Sequence, residues 1–187
     1  MSSAKNWEFP HRMLACYSLL PWVNEDFPPL VLDACTAYVD PRCKRIAEER
    51  GYRLQGCDIT AGDKLIDLVD IQRLPYKASQ FRGVVSSDTL EHVPDMDVAL
   101  HELHRVTEPG GFLVLCLPVC FLPDGTKRKN TEKAAPNHPA QHLWNPGMDM
   151  EARVIKVGYS LVARLECVRW DKMKTSAIWL MEKPVTS

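Results

Sequence analysis

Three short, largely apolar runs that each close on an aspartate constrain this chain more than any other feature: Leu30-Val-Leu-Asp33, Tyr52-Arg-Leu-Gln-Gly-Cys-Asp58 and Leu65-Ile-Asp-Leu-Val-Asp70. A fourth apolar stretch, Gly83-Val-Val-Ser-Ser87, and a fifth, Phe112-Leu-Val-Leu-Cys-Leu117, follow. Runs without polar alternation suit strands buried on both faces, and helical patterns between them indicate a parallel sheet covered on each side. The Asp40-Pro41 pair supplies an N-cap and a first-turn proline, and Gly51 a left-handed terminus. Asp95 caps a second helix whose Met96, Ala99, Leu100, Leu103 and Val106 form one apolar stripe, with Pro109-Gly110-Gly111 expected to terminate it. An earlier amphipathic helix over residues 11–20 places Met13, Leu14, Tyr17 and Leu20 on one side, ahead of the Pro28-Pro29 break.

The predicted fold is therefore a doubly wound α/β domain of three αβα layers. Residues 1–187 form a single domain, with 1–29 as an N-terminal helical lead-in. A polar, proline-containing stretch over 122–146 is expected to be an acceptor or lid loop, since a loop of that length inside a domain serves function or motion. Beyond it, β-forming residues at 159–170 and 176–181 around Asp171-Lys-Met-Lys174 predict a closing antiparallel hairpin.

Charge excludes several classes of partner. Lys and Arg total 23 against 24 for Asp and Glu, so the net charge of −1 provides no field to gather nucleic acid or an anionic membrane. The seven cysteines are odd in number and none is spaced as C-x-x-C, which predicts reduced thiols in a cytoplasmic setting and no zinc ribbon. No apolar run approaches the 18 residues of a membrane span, and the N-terminus lacks the apolar core of a signal peptide. His101-Glu-Leu-His104 has its histidines three apart, where the zinc-protease motif needs four, so no metal site is expected.

In an open parallel sheet, ligands bind beyond the carboxyl ends of the strands, where the strand order reverses. Asp58, 25 positions after Asp33, is placed to accept from both hydroxyls of a ribose. Asp70 is placed to accept from an adenine amine, and Ile59 and Ile71 beside the two acids could sandwich the ring.

In the same order, Val31-Leu-Asp33, Gln55-Gly-Cys-Asp-Ile59, Asp70-Ile-Gln-Arg-Leu-Pro-Tyr76, Ser87-Asp-Thr-Leu-Glu-His-Val93 and Arg105-Val-Thr-Glu-Pro-Gly-Gly111 resemble the successive motifs of class I S-adenosylmethionine-dependent methyltransferases. The likeness is to the UbiE-like, methyltransferase type 11 kind, and it covers residues 30–118. It implies a Rossmann-like, seven-stranded, mostly parallel sheet with an antiparallel C-terminal hairpin, and S-adenosylmethionine as cofactor. It implies cofactor contacts at Asp33, Cys35, Ala37, Asp58, Ile59, Asp70, Ile71 and Ser87. The family's alternating glycines are replaced here by Cys35, Ala37 and Val39, whose side chains narrow the methionine end of such a pocket. Arg82 stands where the family has an acid.

A small-molecule acceptor is expected against the 122–146 loop, with His138 and His142 as candidate catalytic bases and His92 in a structural role. The basic stretch Thr126-Lys-Arg-Lys-Asn-Thr-Glu-Lys133 suits an anionic acceptor, and homo-oligomerisation is compatible with the sequence. The alternative is a non-catalytic relative that keeps the sheet for binding or assembly.

Overall fold

The computed structural model describes residues 8–34, 40–60, 66–120, 126–138, 141–168 and 174–185. Nine strands and four α-helices occur among them: α1 Glu8–Ser18, β1 Leu30–Ala34, α2 Pro41–Glu49, β2 Arg53–Asp58, β3 Ile66–Leu68, β4 Phe81–Ser87, α3 Met96–Val106, β5 Thr107–Cys120, β6 Glu132–Lys133, β7 Trp144–Asn145, α4 Met150–Val157, β8 Ser160–Val168 and β9 Lys174–Glu182. Seven strands form one sheet in the order β3-β2-β1-β4-β5-β9-β8. β1 to β5 run parallel and β9 pairs antiparallel with both β5 and β8, as expected from sequence.

Strand alternation divides the core into two layers. Along β5, Leu113, Leu115, Leu117 and Val119 join the cluster beneath α3 and α4, whereas Phe112, Val114 and Cys116 join the cluster beneath α1 and α2. Trp179 and Met181 of β9 belong to the first cluster and Ile178 to the second. A two-residue period feeding both faces is what makes these strands read as continuous apolar runs. The α3 stripe Met96, Ala99, Leu100, Leu103 and Val106 is buried throughout, as predicted.

Caps behave as their residue types require. Asp40 accepts from Arg42 N ahead of α2, Asp95 accepts from Val98 N ahead of α3, and Gly51 follows α2 at φ 91°. Gly83 has a different reason: a Cβ there would lie 2.3 Å from the ring of Phe112, its neighbour across β5.

Two expectations are corrected. Pro109-Gly110-Gly111 does not end α3; the helix stops at Val106, and Thr107 turns away with its hydroxyl donating to Leu103 O. The Pro-Gly-Gly segment lies within β5 as the chain defines it, held by Gly110 N to Lys183 O and Lys183 N to Gly111 O. The stretch 122–146 is not wholly irregular, because β6 and β7 pair with Lys133 opposite Trp144, and the helix α4 that follows was not anticipated. Cys16, Cys43, Cys57 and Cys116 are buried thiols.

Candidate functional site

β1 and β4 lie side by side although three elements separate them in sequence, so the order reverses between them. The paired registers Asp33 with Gly56, Ala34 with Cys57, Ala34 with Ser86 and Ser87 with Cys116 bring Asp58 and Ser87 to the same carboxyl edge. Cys35, Ala37 and Val39, which would follow β1, lie outside the described residues.

The three acids occupy different environments, and one expectation is corrected: β3 stops at Leu68, so Asp70 lies two residues past the strand rather than at its end. Asp33 is 2% exposed, and its Oδ2 makes no hydrogen bond although the Tyr17 ring of α1 is buried against it. Burial pushes this carboxyl up to about 7, with Tyr17 opposing the shift. Asp58 is nearly buried and accepts from Thr60 N at 2.8 Å and Thr60 Oγ1 at 2.7 Å, both on Oδ1. Asp70 is exposed, and Gln72 occupies it through N to Oδ1 and Nε2 to both oxygens. Ile59 is 67% exposed, while Ile71 is built into the core. The two isoleucines therefore do not form a symmetric pair of exposed faces.

At the end of β4, Ser87 Oγ donates to Asp88 Oδ2, and Asp88 takes φ 52°. Arg12 of α1 reaches this turn, donating to Asp88 Oδ1 at 2.9 Å and Ser176 Oγ at 2.7 Å. Burial pushes the Asp88 carboxyl up and the Arg12 guanidinium opposes it. Arg12 went unnoticed in the sequence, where a lone arginine 76 positions from its partner gives no signal.

A second constellation joins this turn to the 141–144 segment. The single 3₁₀ turn Leu90–His92 carries Glu91, which is 1% exposed with an unpartnered Oε2. His142 stands edge-on to His92, ring centroids 4.9 Å apart, and His138 stacks on His142 at 4.5 Å. The backbone supports the arrangement: Leu143 N donates to Glu91 O, and Trp144 Nε1 donates to Val93 O. Thus His138 and His142 do come together, and Glu91 and His92 join them.

The basic stretch is largely engaged within the protein. Lys127 pairs with Glu166, Arg128 with Glu132, and the Lys133 ammonium lies 4.6 Å over the Trp144 ring. A cleft of about 330 Å³ opens between the start of α3 and the β6-β7 pair, lined by Asp95, Asp97, Thr131, Lys133, Trp144 and Arg153 among others. None of the strand-end acids lines it. Arg82 bridges Glu25 at 2.6 Å and Glu108 at 2.9 Å, which accounts for a base at that position. His101 is exposed and His104 packs edge-on to Tyr159, so the His-Glu-Leu-His run assembles nothing.

The methyltransferase domain family matches residues 43–115. Residues 43–115 are thus similar to the methyltransferase domain family, and the described domain has the fold of solved methyltransferases. The chain is 46% identical over 57 residues to a demethylmenaquinone methyltransferase of Streptomyces griseus, covering 30% of this chain and 22% of that protein. It is 40% identical over 74 residues to the Thermobifida fusca protein of the same name, covering 38% of this chain and 28% of that one. It therefore spans under a third of the length of these curated relatives. Among solved structures, the cyclase SpnF superposes with a TM-score of 0.69 at 14% identity, covering 94% of this chain and 81% of that one. The Burkholderia thailandensis 1,6-didemethyltoxoflavin-N1-methyltransferase, solved with bound 1,6-didemethyltoxoflavin and S-adenosylhomocysteine, superposes with a TM-score of 0.67 at 17% identity, covering 92% of this chain and 78% of that one. For this methyltransferase-fold domain these superpositions bear on architecture alone.

Proposed function

We propose that the domain transfers a methyl group from S-adenosylmethionine to a small-molecule acceptor. The observation that carries the reading is the carboxyl edge of the sheet, where Asp58, Ser87 and the buried Asp33 converge at the β1/β4 reversal in a chain whose residues 43–115 match the methyltransferase domain family.

The described residues suit this cofactor. Both hydrogen bonds to Asp58 fall on Oδ1, which leaves Oδ2 at the strand end to accept from ribose hydroxyls. Ile59 next to it offers an exposed apolar face for the adenine, and Ile71 supports that region from the core. The Asp70 carboxylate, whose hydrogen bonds among the described residues come from Gln72, accepts from the adenine amine once Gln72 turns aside. Asp33 offers an unpartnered carboxyl oxygen at the end of β1, where the cationic methionine end of the cofactor would draw off its proton. Cys35 and Ala37, the contacts expected at that end, lie outside the described residues. Ser87 fixes the turn through Asp88, and Arg12 holds that turn from α1.

When bound, the cofactor supplies an electrophilic methyl on sulfur. The protein's task is then alignment of the acceptor with that methyl, which accounts for most of the rate in such a displacement. His138 and His142, gathered beside the β4 turn, are placed to take a proton from an acceptor hydroxyl or amine. An anionic acceptor would have to displace the internal partners of Lys127 and Arg128.

Isothermal titration with S-adenosylmethionine and S-adenosylhomocysteine tests the reading. Saturable binding is expected for both. Asp58→Ala should weaken it about 10- to 100-fold, the worth of a charged acceptor's hydrogen bonds. An absence of heat at millimolar ligand would remove the cofactor and the reaction with it. Binding of both ligands without turnover on any acceptor panel would favour the non-catalytic alternative.

A further inference from the structure

We propose that Glu91, His92 and His142 form a binding site for a late first-row divalent cation of the zinc class. One donor atom from each residue lies within 4.8 Å of the other two. An ion placed among them needs each donor to close by less than about 1 Å to reach the roughly 2.0–2.2 Å of Zn–N and Zn–O bonds.

Three features support the cluster beyond proximity. Glu91 is 1% exposed, and its Oε2 has no hydrogen-bond partner, so a carboxyl group is sunk into the protein beside the two histidines with one oxygen unsatisfied. Its other oxygen lies 4.0 Å from His92 Nε2. The opposite ring nitrogen of His92 meets the Gln141 carbonyl at 3.3 Å. A carbonyl can only accept, so Nδ1 is the donor there and Nε2 is the nitrogen left facing Glu91, the arrangement by which outer-shell carbonyls orient metal-bound histidines.

The scaffold also holds the second histidine in place. Gln141 takes a left-handed φ of 56°, and Leu143 N donates to Glu91 O. Trp144 Nε1 donates to Val93 O. His142 is thus fixed from both sides against the turn that bears the other two donors.

Two imidazoles and one carboxylate select zinc, cobalt, nickel or iron over magnesium and calcium, which prefer all-oxygen shells. A carboxylate as buried as Glu91 needs a partner, and a divalent cation between it and the two imidazoles supplies one. His92 is exposed enough to give the ion an entry path. Three protein donors leave a tetrahedral shell open by one position, the pattern of reactive rather than structural zinc. On the methyl-transfer reading that position faces an acceptor oxygen and the proton falls to His138, because a coordinated His142 no longer serves as base; this last step alone depends on that reading.

Cobalt(II) provides a test that does not require activity. Tag-free protein titrated with Co²⁺ should show tetrahedral visible bands that saturate at one ion per chain, without the near-ultraviolet band of thiolate ligation. His142→Ala and His92→Asn should each weaken binding more than about 10-fold, the least that losing even an outer-shell partner costs. His101→Ala should bind as the parent does. His92 is partly exposed, so its variant should keep the parent's melting temperature and its S-adenosylhomocysteine affinity. No saturable binding, thiolate bands, or an unchanged affinity in folded His92→Asn would overturn the site, whatever the cofactor titration gives.

Discussion

The buried carboxyl of Asp33 ties the energetics of folding to the candidate site. With its affinity for protons raised to about 7 by burial, the folded protein holds a proton that the unfolded chain releases near its ordinary value of 3.8. The unfolded state therefore binds fewer protons across that window, and stability must fall as pH rises from about 4 to about 7, then level off. Asp33→Asn removes the ionisation while keeping the shape. Denaturant midpoints should show parent and variant alike near about pH 4 and the variant ahead by on the order of 3 kcal/mol near about pH 8. A constant offset across pH would mean that Asp33 is ionised and satisfied in the folded state. The sequence made Asp33 visible near a strand end, but Tyr17, the group that opposes the effect of its burial, lies 16 positions earlier on α1, which no local pattern reports. Arg82 was unreadable for the same reason, because its partners Glu25 and Glu108 lie on separate segments.

Elements were legible where a periodic apolar signal coincided with a chemical stop. α3 shows both: a five-residue stripe and an Asp95 cap accepting from Val98 N at 3.0 Å. Asp95→Ala should therefore cost about 1 kcal/mol, the ordinary worth of an N-cap, and lower the melting temperature by about 2–4 °C. Since Asp95 also lines the 330 Å³ cleft, the variant separates cap from cleft: cofactor affinity should be unchanged, and a loss there would connect the cleft to the cofactor. α4 shows why other elements were missed. It has only eight residues, two of them buried, and Asp149 makes no side-chain cap. Its position is set by Glu151, which accepts from Trp179 Nε1 at 3.1 Å and Arg164 at 3.0 Å, partners on the C-terminal strands. The start of β5 misled in the opposite sense, because Pro-Gly-Gly has the composition of a helix stop but is recruited to the sheet by Lys183.

At the level of the whole molecule, the parallel sheet and the antiparallel C-terminal hairpin could be read in advance, the first because burial on both faces leaves continuous apolar runs, while the strand order came only with the fold. The histidine cluster could not, since Glu91 and His142 are 51 positions apart and only the fold closes that interval. The same topology makes a global prediction. Ligand contacts proposed at Asp33, Asp58 and Ser87 on three strands, and at Asp70 two residues beyond β3, are brought together only in the folded sheet. The unfolded chain cannot reproduce such a site, so S-adenosylhomocysteine should stabilise by mass action alone. At about 100 times its dissociation constant the gain is about 2.7 kcal/mol, which for a domain of this size raises the melting temperature by roughly 5–10 °C. Adenosine, which carries the nucleoside half without the methionine, should give part of that shift through Asp58 and Ile59. If adenosine gave the full shift, the methionine end would contribute nothing, and the side chains at positions 35, 37 and 39 would have closed that half of the cleft. If neither ligand moved the transition, the convergence of the acids would be a property of the sheet and not of a cofactor site.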